Sequence, residues 1–161
     1  MIRRATAADA VALLALERSV AEAAHWSDAE YAQILQDDDG AALRRWIFVA
    51  VEEEALLGFI VVKLLRAGDV IEAEIENLAV AAGARRRGLG AALCLAAFDG
   101  LSEAGARVVE LEVRAGNRAA IGLYTGLGFE QTGIRVGYYA NPKEDAVLLR
   151  FRVQDQQKSA G

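Results

Sequence analysis

The sequence predicts an α/β protein with one mixed central sheet and helices on both faces. Three observations carry this. Short apolar runs joined by tight turns come first, as antiparallel strands do, and strand and helix patterns then alternate through the second half. The chain has 161 residues, 54% of them hydrophobic, which suffices for one core without metals or disulfides. A single domain over residues 1–153 is expected, with 154–161 as a frayed tail lacking periodicity.

Ile2 to Arg4 reads as a short opening strand. Thr6-Ala7-Ala8-Asp9 then has capping-box spacing, and Leu13, Leu16 and Val20 keep helical steps that predict a helix through about Ala24. Ser27 is expected to cap a second helix, Asp28 to Gln36, and Asp37 to Gly40 reads as a turn. Three strands follow: Trp46 to Val51, Leu56 to Leu65 and Val70 to Val80, the last two joined by a turn at Ala67-Gly68-Asp69. The alternating half predicts a helix from Gly88 to Ala104, a strand from Val108 to Arg114 and a helix from Arg118 to Leu127. Strands from Phe129 to Val136 and Ala146 to Val153 complete it, with Tyr138, Tyr139 and Asn141-Pro142 in a loop between them. There is no internal repeat.

Composition excludes several classes. A net charge of −5 disfavours a nucleic-acid binder, because phosphate contacts need clustered Lys and Arg. No stretch is apolar for the ~18 residues of a membrane span. The N-terminus lacks the apolar run of a secretory signal and there is one cysteine, so a cytoplasmic enzyme is expected. His25 is the only histidine and has no partner set for a metal, so none is expected. The sequence does not set the oligomeric state; a monomer is consistent with it.

The strongest local motif is Arg85-Arg86-Arg87-Gly88-Leu89-Gly90, placed between a strand end and a helix start. A helix start leaves N–H groups unpaired and carries partial positive charge, so such a turn suits a pyrophosphate. Glycines let the backbone approach and the arginines add charge. An ordinary turn with solvated arginines is the alternative. Leu93 excludes a G-x-G-x-x-G fingerprint, and no G-K-S/T triplet supports a P-loop.

Arg85-x-x-Gly88-x-Gly90, following Asn77-Leu78-Ala79-Val80, resembles the coenzyme A-binding motif of the GNAT superfamily of N-acetyltransferases. Leu111 to Asn117, Ala120 to Tyr124 and Leu127 to Glu130 resemble more particularly the RimI-type ribosomal-protein-alanine N-acetyltransferases. Trp26-Ser27, Tyr138-Tyr139 and Glu144-Asp145-Ala146 extend the match over nearly the whole chain. Gly116, Gly122 and Gly126 depart from the family pattern without removing a reacting group.

The resemblance implies a sheet splayed open by a bulge before the glycine turn, with acetyl-CoA in the cleft. It implies cofactor contacts from Leu78, Ala79, Val80, Arg85, Arg86, Arg87, Gly88, Leu89, Gly90, Ala91 and Asn117. It gives Glu112 the part of general base and Tyr124 that of general acid. On strand pattern alone Glu112 is as well read as a carboxylate at a cleft mouth, and Tyr124 as a packing residue. Glu76 is the rival base. Backbone N–H groups at Leu78 to Val80, freed by the bulge, would receive the oxyanion. Asn117 also suits a helix N-cap. Cys94 shares a buried stripe with Phe98 and Leu101 and is set aside as an acyl carrier.

The acceptor implied is the N-terminal alanine of a ribosomal protein, bound near Glu76, Tyr138 and Tyr139. The acidic stripe Glu72, Glu74, Glu76 suits a basic peptide, or is simply a polar sheet face. A small amine as acceptor, or a non-catalytic acetyl-CoA-binding module, are the alternatives.

Overall fold

The structure, a computed structural model, describes residues 1–21, 23–36 and 41–153. The expected turn at 37–40 and the tail at 154–161 lie outside the described residues. Among those described, seven strands form one sheet in the order β1-β2-β3-β4-β5-β7-β6. They are β1 (Ile2–Arg4), β2 (Leu43–Glu52), β3 (Ala55–Ala67), β4 (Val70–Val80), β5 (Val108–Arg114), β6 (Glu130–Ala140) and β7 (Lys143–Arg152). Four α-helices accompany them: α1 (Ala10–Ser19), α2 (Asp28–Leu35), α3 (Leu89–Glu103) and α4 (Arg118–Gly126). None is long and apolar enough to cross a membrane.

The mixed α/β sheet and its two helical layers match expectation; several boundaries do not. Helix α1 ends at Ser19, because Val20 turns extended, at φ −106° and ψ 114°, and buries its side chain. Ser19 Oγ also donates to the Leu16 carbonyl at 2.7 Å, occupying an acceptor of the last turn. Strand β2 starts at Leu43, since Leu43 to Arg45 pair with Leu65 to Lys63. Tyr138 and Tyr139 are strand residues rather than loop. Between Arg135↔Ala146 and Tyr139↔Glu144 the β6–β7 register shifts by two residues, and that bulge hides the strand alternation in the sequence.

Two apolar cores sandwich the sheet. On one face, Leu93, Cys94, Ala97, Phe98 and Leu101 of α3 pack with Trp46, Ile60, Val109, Leu111 and Phe151 of the sheet. Each large side chain buried there contributes about 1.5–3 kcal/mol. On the other, Leu13 and Leu16 of α1 and Tyr31 of α2 meet Ile47, Val49, Phe59, Val61 and Ala79. This second layer covers β2 to β4 only, so the same face of β5 to β7 stays open.

Strands β4 and β5 run parallel and pair only at Ala73↔Val109 and Glu74↔Glu110. The cause lies on the other edge of β4, where Val62 pairs with Ile75 but Val61 with Asn77. Glu76 is therefore the extra residue of a bulge, which bends the strand and parts it from β5.

Candidate active site

The bulge also reverses which face each β4 side chain takes. Ala73 and Ile75 lie in the α3-side core, whereas Ala79 lies in the α1–α2 core. Asn77 now faces the α1–α2 layer. It is buried, donates from Nδ2 to the Tyr31 hydroxyl at 2.8 Å and accepts the Ala24 N–H on Oδ1 at 3.2 Å. One strand residue thereby fixes both the loop after α1 and the first turns of α2.

Where β4 and β5 part, a cleft of about 890 Å³ opens. Ile75 to Leu78 line one wall and Leu111 to Arg114 the other, and Asn117, Tyr124 and Tyr139 line it as well. The bulge sits two residues before the expected Leu78 to Val80. Those three stay in regular register with Ile60, Phe59 and Gly58, so the β3 edge frees no N–H groups there. The open edge is the one facing β5, where pairing ends at Glu74.

Glu112 and Tyr124 both line the cleft. Glu112 shares its face of β5 with Glu110 and Arg114, the face that α1 and α2 leave uncovered. Its side chain is 23% exposed, and Arg135 Nη1 of β6 stands 3.4 Å from its Oε1. The Tyr138 phenol is a neighbour of the same carboxylate, whose negative charge pushes the phenol pKa up. Glu112 is thus paired with one β6 residue, Arg135, and neighboured by another, Tyr138, neither of which the sequence pattern singled out as its partner.

Tyr124 lies on the α3 side, 5% exposed, its ring edge-on to Phe129 with centroids 5.3 Å apart. Burial pushes its phenol well above the usual range, so it holds its proton at neutral pH. Cys94 is fully buried, and burial pushes its thiol up to about 12, which leaves almost no thiolate.

Glu76 borders the cleft, but its carboxylate is engaged: Arg45 Nε donates to Oε1 at 2.7 Å. Glu74 pairs with Lys63 at 3.0 Å. The acidic stripe expected to draw a basic peptide is neutralised at these two positions by cations on β2 and β3.

The glycine turn sits as expected, at the start of α3. Gly88 takes φ 77°, and Arg86 is also left-handed at 64°. Leu89, Gly90 and Ala91 supply first-turn N–H groups that lack helical acceptors, whereas the Ala92 N–H already bonds the Gly88 carbonyl at 3.0 Å. Gly90 has a packing reason as well, since a Cβ there would meet Leu123 of α4 at 3.2 Å. The arginines diverge. Arg87 pairs with Glu52, and Arg85 Nε points to the Val80 carbonyl at 3.4 Å. Asn117 caps α4, its Oδ1 accepting the Ala120 N–H at 3.2 Å.

The arrangement brings an open strand edge, a carboxylate and a protonated phenol around one cleft; of the expected cofactor residues Leu78 and Asn117 line it, and the turn from Arg85 to Ala91 does not. Among the described residues, no cluster of three or more His, Cys, Asp and Glu could hold a metal ion.

An acetyltransferase (GNAT) family model matches residues 11–129. The [ribosomal protein bS18]-alanine N-acetyltransferase of Escherichia coli K12 is 44% identical over 84 residues, 51% of this chain and 57% of that protein. The match thus spans little more than half of that curated relative. The crystal structure of the Escherichia coli ribosomal-protein-S18-alanine N-acetyltransferase superposes with TM-score 0.75 at 30% identity, covering 95% of this chain and 93% of that one. Arabidopsis thaliana NAA60, crystallised in complex with acetyl-CoA, has TM-score 0.79 at 21% identity over 96% and 98% of the two chains, a likeness of fold.

Proposed function

The chain belongs to the acetyltransferase (GNAT) family, and we propose that it transfers the acetyl group of acetyl-CoA to the α-amine of a protein N-terminus, with alanine of a ribosomal protein as acceptor. The observation that carries this reading is the pairing of Glu112 with Tyr124 around the cleft between β4 and β5. The named relatives support the choice of acceptor.

The residues present fit acetyl-CoA. The first turn of α3 offers N–H groups to its pyrophosphate, Asn117 lines the cleft, and the open edge of β4 offers N–H donors near Leu78. Acetyl-CoA supplies an activated acetyl thioester. Everything else falls to the chain.

An α-amine has an ordinary pKa of about 7.7–8.0, so much of it is protonated at neutral pH and needs a base. Glu112 takes that proton, directly or through a water, from the open sheet face. Tyr124, on the opposite side of the sheet, holds a proton that it gives to the departing thiolate. Backbone N–H groups on β4 stabilise the negative charge that develops on the carbonyl oxygen. No acyl-enzyme is required, in keeping with the buried Cys94.

The test is to incubate the protein with acetyl-CoA and either peptides beginning with alanine or a panel of free amines, following thiol release. The reading expects release with alanine peptides. Release only with free amines makes the acceptor a small molecule, and none above the blank rejects the activity.

A further inference from the structure

The end of the β6–β7 hairpin is fastened to the turn that opens α4 by a set of contacts centred on two adjacent acids. Glu144 Oε2 accepts the Gly116 N–H at 2.6 Å, and its Oε1 lies 3.3 Å from Arg114 Nη1. Arg114 in turn donates to the Pro142 carbonyl at 3.2 Å and stacks its guanidinium 4.2 Å over the Tyr139 ring. The Asp145 carbonyl accepts the Ala115 N–H at 3.0 Å. The Asp145 side chain works in the other direction, since its Oδ1 accepts the Gly137 N–H at 2.8 Å, inside the β6 bulge, where Gly137 has φ 64°. That bulge is what sets Tyr138 beside Glu112 and Tyr139 on the cleft wall.

We propose that Glu144 and Asp145 form a two-sided clamp that positions the acceptor-side tyrosines, with Glu144 as a positioning residue for the incoming peptide; this rests on the acetyltransferase reading above. Asp145 shapes the strand that carries Tyr138 and Tyr139. Glu144 locks that strand's hairpin to the turn between Glu112 and Tyr124, so the acceptor wall and the reacting groups keep one spacing. Gly116 is part of the device. A Cβ at this position would stand 2.5 Å from Glu144 Oε2, so the lock closes fully only over a residue with no side chain.

The experiment compares Glu144→Ala, Glu144→Gln, Gly116→Ala and the Gly116→Ala/Glu144→Ala double variant. Losing a charge-assisted hydrogen bond at the hairpin should raise the acceptor-peptide KM by about tenfold in Glu144→Ala. The KM for acetyl-CoA should change far less, because the Asn117 cap does not depend on Glu144. Glutamine keeps an oxygen for the Gly116 N–H and should restore most of the loss. Gly116→Ala should raise the same KM by displacing the carboxylate, and the double variant should be no worse than Glu144→Ala alone.

Hydrogen exchange supplies a readout free of activity: Glu144→Ala should speed exchange in both 114–118 and 136–145, and Glu144→Gln should reverse it. An unchanged acceptor KM, additive effects in the double variant, or equal losses in every kinetic constant without rescue by glutamine would each overturn the clamp. An inactive wild type defeats the acetyltransferase reading instead, and hydrogen exchange still decides the clamp.

Discussion

Asn77 Nδ2 donates to the Tyr31 hydroxyl at 2.8 Å in a buried hydrogen bond between the splayed strand and the helix that covers it. The bond exists because the Glu76 bulge turns Asn77 toward α2, where a regular strand would point it at α3. One extra residue thus opens the cleft and anchors the segment above it.

Asn77→Ala should remove this bond and the one to the Ala24 N–H, stranding a buried phenol, at a cost of about 1–3 kcal/mol. Thermal unfolding followed by circular dichroism should show a Tm lower by roughly 3–10 °C. The acceptor KM should also rise, since Ala24 and His25 line the cleft.

Glu112→Gln should lower kcat by about a hundredfold while the acetyl-CoA KM changes little, because the amide keeps the shape but cannot take the proton. Steady-state kinetics with an alanine peptide checks it. An unchanged kcat removes Glu112 from the role and returns Glu76 as candidate.

Tyr124→Phe keeps the ring that packs against Phe129 and deletes only the hydroxyl. We expect a folded protein with near-native Tm and a kcat reduced by about 10–100-fold.

Much of this was legible in the sequence, and the failures share a cause. Glycine and helix phase marked the start of α3, and Asn117 announced the α4 cap. The bulges at Glu76 and between Arg135 and Tyr139 were not placed, because each breaks the two-residue period by which strand faces are read. What the sequence left unplaced follows from them: Asn77 facing Tyr31, Tyr138 neighbouring Glu112, and strand residues Tyr138 and Tyr139 read as a loop. Nor did the sequence show that α1 and α2 stop at β4 and leave the Glu112 face of β5 uncovered. The glycines alone did not reveal that Gly90 packs against Leu123, a contact between elements far apart in sequence.

Burial raises the folded-state pKa of Cys94 from 9.0 to about 12, and pushes Tyr31 and Tyr124 above their ordinary 10.0. The unfolded chain ionises these groups first, so their contribution to stability is fully present below pH 9 and is lost as pH rises toward the folded-state values. Urea midpoints should stay level in this respect from pH 7 to 9 and fall beyond. Tyr124→Phe should make that alkaline fall shallower; an unaltered slope would contradict the burial of its hydroxyl.

Gly88→Ala meets no atom within 4 Å, so any loss comes from the backbone at φ 77°. A cost of about 1 kcal/mol in stability is expected. Relaxation of the turn should also raise the acetyl-CoA KM several-fold, measured with saturating peptide, and leave the acceptor KM alone.

The most direct test of the account is tandem mass spectrometry of an alanine-initiated peptide, also containing lysine, after incubation with the protein and acetyl-CoA. The account predicts multiple-turnover acetylation on the N-terminal α-amine, abolished or strongly slowed in Glu112→Gln. An unmodified peptide, or acetyl found only on lysine side chains, would contradict it.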